Sequence, residues 1–185
     1  WHGHAVLARD GVDGASGISF VDVAQCYERP GDVLAVKLRA ALREDGEVPT
    51  GCLRILLMRP HALPCAEPLC GLASAGSVFQ VAARSAELCG SRRGAERFAL
   101  APPLRALRGD CLGWQYGSHA PLRVAFSRGG QGRVWWHRAT PDSGGVAIFR
   151  DGEARTYSIA AEVAPLEPEP WPPEAPAAAA ACACP

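Results

Sequence analysis

The 185-residue chain contains no asparagine, one lysine (Lys37) and one methionine (Met58). Without Asn there is no N-glycosylation acceptor, and the turns that Asn usually serves fall to Gly, Asp and Ser. The 20 glycines fit that shift. No run of about 18 uncharged apolar residues occurs, so no segment reads as a membrane-spanning helix. Neither charge sign is in excess, since 19 basic residues face 19 acidic ones. A Gly-x-Ser-x-Gly elbow, a phosphate-binding loop and a paired His-Glu metalloprotease motif are all missing. So are paired Cys-x-x-Cys and His-x-x-x-His spacings, so no metal site and no cofactor are implied. Composition also excludes a disordered or collagenous chain: 48% of residues are hydrophobic, and Gly does not recur at every third position.

At this length one domain with a substantial core is expected. Lysine and arginine total 19, so setting Lys37 aside leaves 18 arginines. The bias runs through the whole chain beside abundant Ala, Gly and Pro, and reads as the mark of a GC-rich coding sequence. A chain beginning at Trp1 is expected to be a processed product or a fragment, with any signal peptide out of view.

The eight cysteines are too many for a typical cytosolic enzyme and read as disulfide candidates, which predicts a secreted or cell-surface protein. Six lie in the body of the chain, at Cys26, Cys52, Cys65, Cys70, Cys89 and Cys111. Six cysteines allow about 15 connectivities, and only a local Cys65–Cys70 pair across a Pro-bearing loop is suggested by spacing. Cys182 and Cys184 are one residue apart, so a bond between them would be strained. They are candidates for intermolecular disulfides.

Period-two alternation recurs as far as residue 163. Leu34, Val36 and Leu38 share a face against Val33, Ala35 and Lys37, and Leu53, Ile55 and Leu57 alternate with Arg54, Leu56 and Met58. Candidate strands are Ile18–Ala24, Val33–Ala40, Cys52–Met58, Val78–Arg84, Arg97–Leu100, Cys111–Tyr116, Leu122–Phe126, Arg133–His137, Val146–Phe149 and Arg155–Val163. Short alternating runs bounded by Gly, Pro or Asp predict an all-β, antiparallel β-sandwich or jelly-roll-like domain. The helix formers over Ala35–Glu44 compete with this, but a Gly31-Asp32 turn leading into clean alternation favours a strand. After residue 164 the composition turns to Pro and Ala. Residues 1–164 are thus expected to form the β-sandwich domain, and 165–185 an extended linker or stalk.

Several constellations invite a functional reading. Arg108-Gly109-Asp110 matches the integrin-recognition tripeptide, but Gly109-Asp110 also serves as a turn opening the alternating strand Leu112, Trp114, Tyr116. From Arg84 to Arg138 ten arginines face Glu87, Glu96 and Asp110, a net of 10 − 3 = +7, while from Asp151 onward Arg155 faces six acids, 1 − 6 = −5. The basic middle suggests a patch for an anionic polysaccharide or another surface protein, with Arg92, Arg93 and Arg97 in its most available loop. Nucleic acid is disfavoured, because no helix-turn-helix, zinc-finger or RNA-recognition pattern accompanies the charge. Trp135 and Trp136 must face opposite sides of any strand that holds them, and the outward one could stack a sugar ring. His2 and His4 could share one face of a terminal strand, but two ligands make a weak metal site.

One series of motifs resembles a known group. The run Leu53-Arg54-Ile55-Leu56-Leu57-Met58-Arg59-Pro60, the strand Phe79-Gln80-Val81-Ala82, Leu107 to Trp114, Gly117, and Pro121-Leu122-Arg123-Val124 together resemble uncharacterised β-sandwich modules of large secreted or surface proteins. The match spans roughly residues 50–126, and the Cys65–Cys70 loop after Arg-Pro departs from the pattern. The resemblance implies a sandwich and an extracellular address, and no catalytic residues.

The expected function is a non-catalytic extracellular binding, adhesion or structural module. The alternative is a jelly-roll hydrolase or lyase acting on carbohydrate, with His119 and His137 and nearby carboxylates in an open groove.

Overall fold

The computed structural model describes residues 1–13, 16–41, 51–61, 76–90, 94–117, 122–139 and 141–166. Alternation becomes strand throughout: β1 (His2–Gly3), β2 (Ser19–Cys26), β3 (Gly31–Arg39), β4 (Gly51–Pro60), β5 (Gly76–Arg84), β6 (Leu88–Gly90), β7 (Ala95–Ala106), β8 (Cys111–Tyr116), β9 (Phe126–His137), β10 (Val146–Tyr157) and β11 (Ile159–Pro165). No helix occurs among the described residues. Lys37 and Arg39, inside the stretch with helix-forming composition, lie on β3 between β11 and β7.

The strands form an antiparallel β-sandwich. One sheet has the order β1-β11-β3-β7, and the other β5-β10-β9-β2-β8-β4-β6. In the larger sheet β5 also pairs with β4, through Leu56↔Arg84 to Pro60↔Phe79. Strands β5, β10, β9, β2, β8 and β4 therefore close into a ring, with β6 appended to β4. Closure produces two cores. Leu53, Ile55 and Leu57 of β4 join Val33, Val36, Leu38, Trp114, Tyr116 and Tyr157 between the sheets. Leu56 and Met58 pack with Val21, Phe79, Val81 and Phe149 inside the ring. A strand buried on both faces needs apolar residues at consecutive positions, which is why the alternation of β4 gives way to Ile55-Leu56-Leu57-Met58, all fully buried.

Several strands differ from their expected limits. β7 extends through Pro102 and Pro103, well beyond Arg97–Leu100. It is an edge strand, and Leu100–Pro103 bulge between the pairs Ala35↔Ala99 and Val33↔Leu104, so the missing proline N–H groups break no ladder. The Ala101–Pro102 peptide is cis. Arg155–Val163, which reads as one run, is two strands: the chain leaves the ring at Tyr157 and enters the smaller sheet at Ile159. Buried Ser158 makes the crossing, donating its N–H to Ala125 and its hydroxyl to the Leu7 carbonyl. Leu122–Phe126 supplies only a bridge, Val124 to Ala40, before β9 begins. Gly31-Asp32 is not a turn but the start of β3, paired with β7 and β11.

Among the described residues, two disulfides staple the fold. Cys26–Cys111 ties β2 to β8, and Cys52–Cys89 ties β4 to β6. Their sequence separations of 85 and 37 residues close long loops in the unfolded chain, each a stabilisation of about 4 kcal/mol in the chain-entropy account. Cys65, Cys70, Cys182 and Cys184 lie outside the described residues. The two bridges take up four of eight cysteines, so thiol titration of denatured, unreduced protein should find no more than 8 − 4 = 4 free thiols. Five or more would contradict the pairing.

Candidate functional site

The inter-sheet core ends before the inner face of the larger sheet does. Past buried Phe20, the same face of β2 and β9 runs on as Ile18, Val134, Trp136 and Arg138, and forms one side of an open cleft of about 680 Å3. Gly152, Glu153, Arg155 and Tyr157 of β10 form the other side, with Asp13 at its base. Two glycines let β10 lie close over β9. A Cβ on Gly152 would stand 2.3 Å from the Val134 carbonyl oxygen, and one on Gly132 would stand 2.0 Å from that of Arg155. Residues Gly129–Gly132 bulge from β9 between the pairs Arg155↔Arg128 and Ala154↔Arg133, where the strand changes direction.

Asp13 is 4% exposed. Its carboxylate accepts hydrogen bonds from Tyr116 Oη at 2.9 Å, Tyr157 Oη at 2.9 Å and Arg155 Nη1 at 2.6 Å. Tyr116 Oη in turn accepts the Val124 N–H at 3.1 Å. Burial raises the Asp13 pKa above the usual carboxylate value, and the two tyrosines and Arg155 pull only part of the way back. Burial and the adjacent carboxylate push both tyrosine hydroxyls up, so they stay protonated as donors. Burial works against the Arg155 charge, but Tyr157, Asp13 and Glu153 outweigh it and raise its pKa. The network fixes the N-terminal segment to the ring. Arg9 continues the attachment by donating to Ser158 and Ser127, and His4 pairs with buried Asp22 at 2.8 Å.

Trp135 and Trp136 point to opposite faces, as alternation requires. Trp135 packs against the ring interior, edge-on to Phe79 at 6.4 Å. Trp136 is half-buried in the cleft wall, with the Arg138 guanidinium 5.9 Å and the Arg150 guanidinium 6.0 Å from its ring centroid. Both distances fall at the outer limit for cation–π attraction.

Among the described residues, the remaining sequence candidates do not converge on this cleft. Arg97 lies on the smaller sheet, paired with Glu162 at 2.7 Å, and Arg92 and Arg93 lie outside the described residues. In Arg108-Gly109-Asp110, Gly109 takes φ 88° in a tight turn and the Asp110 side chain is fully buried. Both Asp110 oxygens bind Arg59, at 2.8 and 3.0 Å, and one also accepts the Leu107 N–H. An adhesion turn would have to present that carboxylate, and here it is spent inside the fold. Arg59 gains its raised pKa chiefly from this hydrogen bond. His2 stacks on Tyr27 with centroids 4.2 Å apart, while His4 binds Asp22, so the two do not share a ligand. His137 lies within hydrogen-bonding distance of the Ile148 carbonyl at Nδ1 and leans on Phe149; His119 is outside the described residues.

Sequence reasoning missed Asp13, Tyr116, Tyr157, Arg155, Arg138 and Arg150 as site residues. Arg138 had a readable signal, lying two residues after Trp136 on the same face of one strand. Asp13 had none, because a lone acid in a Gly-rich segment looks solvated. No protein-family model matches the chain, and neither a curated protein nor a solved structure matches it. The cleft therefore stands on its own chemistry.

Replacing Asp13 by Ala should strand Arg155 and two tyrosine hydroxyls and cost about 3 kcal/mol of stability, read from chemical denaturation. A smaller loss than 1 kcal/mol would mean that the network is not buried as described. The pH dependence has a definite sign. With its folded pKa above its unfolded value of 3.8, Asp13 binds its proton more tightly in the folded state. Its contribution to stability is fully present below the unfolded pKa and is lost as pH rises through the folded pKa. The stability difference between wild type and Asp13→Asn should therefore shift toward wild type as pH falls from 7 toward 4.

Proposed function

We propose that this protein is a non-catalytic, disulfide-stapled extracellular module that holds a carbohydrate in the cleft along Trp136. The observation that carries the reading is the cleft itself: a half-buried indole beside Phe20 and Val134 on one wall, and Arg155, Glu153 and Arg138 at hand as hydrogen-bonding groups. A sugar presents one apolar face of C–H groups and a rim of hydroxyls, which suits an aromatic platform ringed by charged donors and acceptors. The open shape favours a chain threading past over a small molecule enclosed.

Support for a binding role over a hydrolytic one comes from Asp13. A general acid or base must have a free lone pair or proton to offer, and both carboxylate oxygens of Asp13 are engaged by Tyr116, Tyr157 and Arg155. Glu153 is paired to Arg155 at 3.3 Å on the outer rim. Two disulfides suit an oxidising compartment, and the proposal puts the chain among the β-sandwich modules of secreted or surface proteins that its motifs resemble.

Affinity electrophoresis through gels containing soluble polysaccharides, followed by titration calorimetry, tests the reading. Trp136→Ala should weaken binding about tenfold, the loss of one stacking contact worth about 1.4 kcal/mol. Trp135→Ala should lower stability and leave affinity unchanged, because its ring packs inward. Retardation by no polysaccharide, or equal loss of binding in both variants, would count against a carbohydrate site at Trp136.

A further inference from the structure

Arginine is abundant on this surface, and part of it is neutralised. Arg54 meets Glu87, Arg59 meets Asp110, Arg84 meets Asp142, Arg97 meets Glu162, Arg105 meets Asp32, Arg128 meets Glu153 and Arg155 meets Asp13. Arg138 and Arg150 are among those left over: neither has a carboxylate within ion-pair distance among the described residues, and both are exposed. They flank a single side chain. Arg150 pairs in register with Trp136 across the β9–β10 ladder, and Arg138 is two residues along β9, so period two puts all three on one face. Two unneutralised guanidiniums thus stand within 6.0 Å of the same indole, beside the cleft that Trp136 and Arg138 line.

We infer that Arg138 and Arg150 form an acid-group subsite, so that the sugar held along Trp136 is an acidic one. This rests on the carbohydrate reading above and goes further by naming the ligand class: a saccharide bearing carboxylate or sulfate groups. Like charges held together on one face repel, and an anion bridging them relieves that repulsion while accepting charge-assisted hydrogen bonds. Planar guanidinium forks match carboxylate and sulfate oxygens two at a time.

The test uses the full chain and two matched pairs of probes, an oligogalacturonate with its methyl ester and dextran sulfate with dextran. The pairs also separate carboxylate from sulfate as the acid group. Wild type should bind at least one acidic probe about tenfold or more tightly than its neutral counterpart, with affinity falling as salt rises from about 50 to 200 mM. Arg138→Gln and Arg150→Gln should each lose about fivefold toward the acidic probe, Arg150→Gln, outside the cleft lining, should lose nothing toward the neutral one, and the double variant should lose most of the salt dependence. Arg97→Gln, which removes an arginine paired on the other sheet, is the control and should bind as wild type does. Because the substituted side chains are exposed, the variants should keep the wild-type melting temperature. Equal binding of an ester or dextran and its acidic partner, salt-independent binding, or an equal loss in Arg97→Gln would overturn the acid subsite while leaving the carbohydrate reading intact. Failure of wild type to bind any of the four probes would overturn both.

Discussion

Because β5 hydrogen-bonds to β10 on one side and to β4 on the other, the larger sheet has no free edge around six of its strands. Ring closure demands that those strands bury side chains inward as well as toward the smaller sheet. β4 meets both demands with alternate residues of one apolar run, and β2 does so with Val21 inward and Phe20 outward. Closure also protects backbone groups that an open sheet would leave for another chain to pair with. What edges remain are short or broken: β1 spans two residues, β6 spans three, and β7 carries a proline bulge.

The smaller sheet has four strands and cannot cover all of the ring's outward face. Where cover ends, the same alternation that fills the core with Phe20 and Val134 goes on to place Trp136 and Arg138 against solvent. The cleft is therefore a consequence of unequal layers, and its chemistry is inherited from strand register. Electrostatics then sorts the arginines. Those opposite an acid are consumed in ion pairs, most of them exposed and worth little singly. The buried Arg155–Asp13 pair is different in kind, since removing one partner would leave a desolvated charge.

Much of the architecture could be read from the chain. Period-two runs over Cys111–Tyr116 and Val33–Arg39 were legible because a strand half-buried or fully buried leaves its burial pattern in the residues themselves. The opposed directions of Trp135 and Trp136 followed from the same geometry. Other features were out of reach. The crossing at Ser158 leaves no gap in the apolar pattern, since Tyr157 and Ile159 are both buried, one in each sheet. Pro102 and Pro103 read as a strand end, yet an edge bulge absorbs them. Gly109-Asp110 could be read as a turn opening a strand or as part of a recognition tripeptide; the turn forms, and the capture of Asp110 by Arg59 joins two residues 51 apart in sequence.

The amino-acid sequence by itself determined the strand character, the capacity for disulfides and the alternation of faces, because these are set by neighbouring residues and by the fixed geometry of an extended backbone. Tertiary structure alone decided which strands pair, that the larger sheet closes, which cysteines meet, and which of so many arginines keep an unneutralised charge. Those outcomes rest on contacts between residues far apart along the chain. A charge is neutralised by whatever lies within about 4 Å of it in space, and separation along the chain does not say what that is.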